Sequence, residues 1–419
     1  MPTTSRYATS GSSLSWLLPC AMVCAGALGW ACQDPADSAD GSAEGAEDGG
    51  NMLLRQAVLD SVANNVIVPQ TVAFEDATDS LRTAVRTYVE ASDTGAVEST
   101  LLAAQQAWRE AMTQGQRLEV MQLGPAAPSL VAIGGEDRRD AVYSWPTVDT
   151  CSVDRALAEQ AYAADDFFTT QLVWAHGLDA LEYLLFVHDA DHTCPTQVQL
   201  DSAWDALSFE QVEQQRRAYA QVLADQLASQ ASALATRWSP QGDDFASALA
   251  NPGQAGSPYA NELEALDEVF RAMFYLDKQT KDGKLGAPLG LVDGCAAAPC
   301  TDQMESPWSG HATASIIANL QGLRLMIQGG PDPDQADGFD DLLQEVGQGD
   351  VADDLLRRID TAISVAEGID VSLQESAVAS PERVTALHTA VKDVTDILKG
   401  PFVMALMLTI PAEGAGDND

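Results

Sequence analysis

The sequence predicts an all-α protein built as two helical bundles. Three observations carry that reading. After residue 51, apolar residues recur at helical spacing over most of the chain. Alternating, strand-like runs are scarce, and no Gly-rich phosphate loop appears. The helical stretches are parted by segments rich in Gly, Pro and Asp at 124–146, 188–195, 239–258, 283–307 and 329–338. The break at 239–258 places a first bundle at residues 52–245 and a second at 258–411. With 46% hydrophobic residues in 419, both have material for a core.

The N-terminus comes first. Arg6 is the only charge ahead of the apolar run LSWLLPCAMVCAGALGWAC, residues 14–32. The run is too short for a membrane-spanning helix and reads as a signal peptide over residues 1–31. Leu28-Gly29-Trp30-Ala31-Cys32 resembles a bacterial lipoprotein signal, which makes Cys32 the lipidated first residue of an exported envelope protein. Ordinary cleavage nearby, without lipid, is the alternative. Residues 32–51 are rich in acidic and small residues and hold no basic one, which predicts a disordered tether.

Helices follow. Val97, Leu101, Ala104, Trp108 and Met112 form one apolar stripe. Residues 202–238, with Trp204, Leu207, Val212, Tyr219, Leu223, Leu227, Leu234 and Trp238, read as a single long helix. Trp108, Trp204 and Trp238 are assigned to core rather than to ligand stacking. Ser380-Pro381 opens a late helix with the stripe Val384, Leu387, Val391, Val394 and Leu398. The apolar ending 398–411 is too short to span a bilayer and is assigned to core packing.

Of seven Cys, Cys151, Cys194, Cys295 and Cys300 lie beyond the leader. Four thiols in an exported chain favour two disulfides. Only four residues part Cys295 from Cys300, so these two pair, leaving Cys151 with Cys194. A four-Cys zinc site is the alternative, but no C-x-x-C pair supports it.

The stretch GLDALEYLLF, residues 177–186, is apolar nearly all round a helix, as buried helices are. Yet Asp179 and Glu182 stand three residues apart, on one face. Buried carboxylates need relief: a bridging cation, an Arg partner, or a shared proton. Composition bears on the first. Lys+Arg number 22 against 62 Asp+Glu, a net charge of −40, which disfavours nucleic acid and leaves cations as fitting partners. Solubility alone is the plainer reason for the charge. A second constellation is His188-Asp189-Ala190-Asp191-His192, whose His188 and His192 could hold a metal on a helix; its position ahead of Cys194-Pro195 reads as a solvated loop.

Five motifs in order resemble those of the imelysin family: Gln105-x-x-Trp108-Arg109 with Gln116-x-x-Glu119 and Gly124-Pro125; Ser144-Trp145-Pro146; Gly177-x-Asp179-x-x-Glu182-Tyr183-Leu184-Leu185; Glu305-Ser306-x-x-Ser309 with Asn319-Leu320-x-Gly322; and the ending from Leu398-Lys399. The similarity spans about residues 52–417. It implies two related bundles with a cleft between them, in a periplasmic or outer-membrane lipoprotein tied to iron uptake. The family is named for a peptidase activity, though its members lack H-E-x-x-H. Here the family's central G-x-H-x-x-E motif is altered. Asp179 stands where the motif has His, and none of the five His has Glu three residues later.

Exchanging imidazole for carboxylate shifts metal preference from zinc towards calcium, magnesium, manganese or ferric iron. Glu119, Glu305 and Ser309 are the candidate further ligands, with Arg109 as counter-charge. Three functions stay open: a non-catalytic envelope protein binding a divalent or ferric ion or its complex, a metallopeptidase, and a scaffold whose metal site is lost. No catalytic residue and no transport partner is assigned.

Overall fold

The computed structural model describes residues 44–198, 200–292, 295 and 297–412. The signal peptide 1–31, Cys32 and the tether as far as residue 43 lie outside the described residues. Residues 46–412 belong to one compact unit. The described secondary structure is helical throughout.

Nine longer helices carry the fold: α1 (Glu44–Ser61), α2 (Val68–Glu90), α3 (Thr94–Leu118), α4 (Gly177–Phe186), α5 (Phe209–Trp238), α6 (Glu262–Met273), α7 (Ala312–Gln328), α8 (Gly349–Glu367) and α9 (Pro381–Ile397). α1 begins inside the expected tether, at residue 44.

Two apolar cores lie within this unit. Phe74, Leu81 and Val85 of α2 meet Trp108 and Met112 of α3, Leu181 and Leu184 of α4, and Tyr219, Leu223 and Leu227 of α5. The second core joins Phe270 and Met273 of α6, Ile316, Leu320 and Leu323 of α7, Leu355 and Ile359 of α8, and Leu387 and Val391 of α9. Val58–Ile67 and Trp238, from the N-terminal half, also pack into this second core. Trp108, Trp204 and Trp238 are all buried.

Residues 202–238 are not one helix. A short helix, Asp201–Trp204, ends before Ser208, which caps α5 with Gln211 in a reciprocal capping box. The break expected from residue 283 starts later. Leu276–Gly286 forms a π-helical stretch that continues into Ala287–Leu289, so Gly283 is helical. π-helical turns are frequent at functional sites. The ending packs inward through Leu398, Phe402, Val403, Leu406 and Leu408.

The two cores are tied where α3 crosses α7. A Cβ on Gly322 would lie 2.6 Å from the Arg117 carbonyl oxygen and 2.7 Å from Val120 Cγ2, so only Gly permits this approach. Disulfides Cys151–Cys194 and Cys295–Cys300 are both present.

Candidate functional site

α4 is locked in place by the residues of the first motif. Trp108 Nε1 donates to the Leu178 carbonyl at 2.7 Å, and Gln105 Nε2 donates to the Leu185 carbonyl at 2.8 Å. Gly177 opens the helix at φ +80°, where a Cβ would meet the Val142 carbonyl at 2.8 Å. Tyr183 donates to Asp154 at 3.0 Å, and Asp154 accepts from Thr193 beside the Cys151–Cys194 bridge. Buried α4 is therefore held from both ends, and its polar face points one way.

That face is part of the wall of a cleft of about 460 Å³. Asp179 and Glu182 reach it from α4; Tyr143, Trp145 and Asp149 flank them; Gln279, Gly283, Met304, Ser306 and Trp308 come from the C-terminal half. Asp179 and Glu182 are 3% and 1% exposed. Asp179 Oδ2 accepts from Ser144 Oγ at 2.9 Å. Glu182 Oε1 accepts from the Ser309 backbone N–H at 2.8 Å. Among the described residues neither carboxylate forms an ion pair. Burial pushes Asp179 up to about 6, against the pull of the Ser144 hydrogen bond. Burial pushes Glu182 further, to about 8, against the Ser309 hydrogen bonds and with the Asp179 and Glu305 charges adding to the rise.

The other candidates are engaged elsewhere. Glu119 takes a 2.9 Å ion pair from Arg139. Glu305 pairs with buried Lys284 at 2.9 Å and also accepts from Gln116 and Tyr143. Lys284 further donates to Asn319 Oδ1 at 2.9 Å and to Gln116 Oε1 at 2.5 Å, while Asn319 donates to the Gln116 carbonyl at 2.7 Å. Burial holds the Lys284 ammonium below its usual range, opposed by Glu305 and Glu119. Ser309 serves as a backbone donor to Glu182. Arg109 lies over the Phe186 ring at 4.8 Å and reaches the Ser309 carbonyl at 3.5 Å, so it bounds the site without neutralising it.

His188 and His192 stand in a loop, as the sequence predicts. His188 Nδ1 meets Glu213 Oε2 at 2.9 Å, and His192 accepts from the Cys194 N–H with its ring 5.6 Å from Trp204. His176 packs its ring on Phe167 and Phe168, and burial lowers it to about 4, which keeps it neutral.

Among the described residues, no three His, Cys, Asp or Glu side chains converge as a metal site. A hard cation takes about six to eight oxygens. Two carboxylates, each already accepting a hydrogen bond, do not close such a shell. The residues present fit a cation that keeps most of its own ligands, water or organic, rather than one held by protein oxygens alone.

The sequence left Lys284, Arg139 and Tyr143 unmentioned. Lys284 carries no local signal, because its role arises from the π-helical stretch. Ser144 did stand in a quoted motif, without a role.

Comparison with known proteins bears on this arrangement. Residues 67–399 match the family model described as Imelysin. The chain is 25% identical over 354 residues to iron-regulated protein A of Synechococcus elongatus, covering 83% of this chain and 85% of that one. Two crystal structures share its fold. One, titled as an iron-regulated protein A precursor from Parabacteroides distasonis, superposes with a TM-score of 0.65 at 16% identity, over 85% of this chain and 95% of the other. An imelysin-like protein from Psychrobacter arcticum gives 0.63 at 14%, over 86% and 98%. With the family model matched over most of its length, the chain belongs to the imelysin family.

Proposed function

We propose that this chain is a non-catalytic, exported binding protein that takes iron, as an ion carrying part of its own ligand shell, into the cleft at Asp179 and Glu182. One observation carries the reading: two carboxyl groups on the cleft wall without a charged partner among the described residues. Glu119 and Glu305, by contrast, each have an Arg or Lys against them. The name of the Synechococcus relative supplies the link to iron. Lipidation at Cys32 would hold the protein at the periplasmic face of an envelope membrane. No helix among the described residues is long and apolar enough to cross one.

The electrostatics set a condition on binding. Glu182, at about 8, carries its proton at neutral pH, so an incoming cation displaces it. Affinity therefore rises with pH. Calorimetric titration with calcium, manganese, iron and zinc tests the reading. Wild type binds a hard cation, Glu182→Ala loses it, and Asp179→His moves preference towards zinc. Binding of none of the four by wild type leaves a scaffold. Peptide cleavage that stops on chelation overturns the non-catalytic part.

A further inference from the structure

The cleft is larger than a metal needs. Six waters around an ion fill roughly 180 Å³ at about 30 Å³ each, against about 460 Å³ here. Two carboxylates leave most of a hard cation's coordination positions to be filled by something else. The rest of the wall says what that is.

Beyond Asp179 and Glu182, Trp145, Trp308, Met304 and Pro146 give part of the wall an aromatic and apolar character, beside polar residues such as Thr150 and Gln279. Trp145 is seated against Gly283, where a Cβ would approach its ring to 3.1 Å. Trp308 packs edge-on to Tyr183 with ring centroids 5.2 Å apart. Both indoles are thus fixed in orientation before anything binds. Among the described residues the wall holds acidic ones, including Asp149 and Asp302, but no Lys, Arg or His. An anionic chelate would meet repulsion with nothing to offset it.

Ser306 completes the picture. It is 3% exposed, and its hydroxyl has no hydrogen-bond partner. Its backbone sits at φ +47°, in the left-handed region where a side chain is disfavoured. Glycine would be the default there. A serine held in that conformation, with its hydroxyl unpaired in the wall of a cleft, costs stability twice. An arriving polar group removes the second cost.

We infer that the cargo is a metal carried by a flat, uncharged or cationic organic chelator. Its ring lies on Trp145 and Trp308, its polar edge meets Ser306 Oγ, and its metal faces Asp179 and Glu182. This rests on the cation reading above and names the other half of the ligand.

Titration calorimetry at neutral pH with four probes tests it: manganese(II) chloride, ferric maltol (a neutral tris complex with flat rings, which frees two iron positions for the carboxylates by losing one maltolate as maltol, protonated by Glu182), ferric citrate (anionic, without such a ring) and metal-free maltol. Ferric maltol binds at least about tenfold tighter than manganese(II), ferric citrate is rejected, and maltol alone is weaker than its complex. Trp308→Ala and Ser306→Ala each weaken ferric maltol about tenfold and leave manganese(II) unchanged. Trp308→Phe restores most of the loss. Ser306→Gly relieves the backbone, keeps the fold and still binds weakly, which separates hydroxyl from folding effects. Manganese(II) binding equal to that of ferric maltol, with Trp308→Ala and Ser306→Ala silent, overturns the organic subsite and leaves the cation site standing. Binding of no metal-bearing probe overturns both.

Discussion

Asp179 and Glu182 differ from Glu119 and Glu305, the other buried acids of the quoted motifs, in what satisfies them. Glu119 and Glu305 each have a cation within 3 Å, at 2.9 Å in both cases. Asp179 and Glu182 have only hydrogen-bond donors. Their raised pKa values make them a linkage element. Free Asp and Glu carboxyls titrate at 3.8 and 4.5; these are pushed up to about 6 and about 8. Between those limits the folded protein holds protons that the unfolded chain has released. Stability is therefore full below about pH 4 and declines as pH rises towards 8. Glu182→Gln keeps the Ser309 N–H bond and removes the larger share of this slope. Chemical denaturation of the cargo-free protein at pH 5 and pH 8 should show wild type losing about 3 kcal/mol more than the variant, which keeps only the smaller decline set by Asp179. Equal slopes would mean that Glu182 titrates normally.

At the scale of elements, the helical stripes were legible because apolar spacing records which face is buried. Trp108 and Met112 of α3 and Leu387 and Val391 of α9 pack as their spacing predicts. The capping box at Ser208 was also written in the sequence, but a continuous apolar pattern across it masked the break. The π-helical stretch Leu276–Gly286 was not legible, since Gly283 reads as a helix breaker. Tertiary packing overrides that local cost, and Trp145 fills the space Gly283 leaves. For the site, the sequence could show that Asp179 and Glu182 share a face. It could not show that Glu305 is already paired, because its partner Lys284 comes from a distant segment. Gly322 gives the element-scale test. A methyl group there collides with the Arg117 backbone, at 2.6 Å, so α3 and α7 must part. Gly322→Ala should lower stability by about 2 kcal/mol or more despite its better helix propensity, read as a fall in denaturation midpoint. A rise, as at an open helical site, would contradict the close crossing.

The whole molecule is held by its cores and by covalent ties at the cleft's flanks. Cys151–Cys194 closes a 43-residue separation around the segment bearing α4, whereas Cys295–Cys300 closes 5. Loop-closure entropy assigns roughly 4 kcal/mol to the first and roughly 2 to the second. Paired Cys→Ser variants, compared by thermal melting, should rank in that order; the reverse would place the second bridge's contribution in native contacts of the cleft wall. Above these supports stands the central claim, that the cleft exchanges protons for a cation. Its most direct measurement is calorimetric titration of manganese(II) at pH 7 in two buffers of different ionisation enthalpy. The account predicts binding with release of about one proton per ion, since Glu182 stands at about 8, and no binding in Glu182→Gln. Absence of binding, or binding that releases no proton and survives Glu182→Gln, would contradict it.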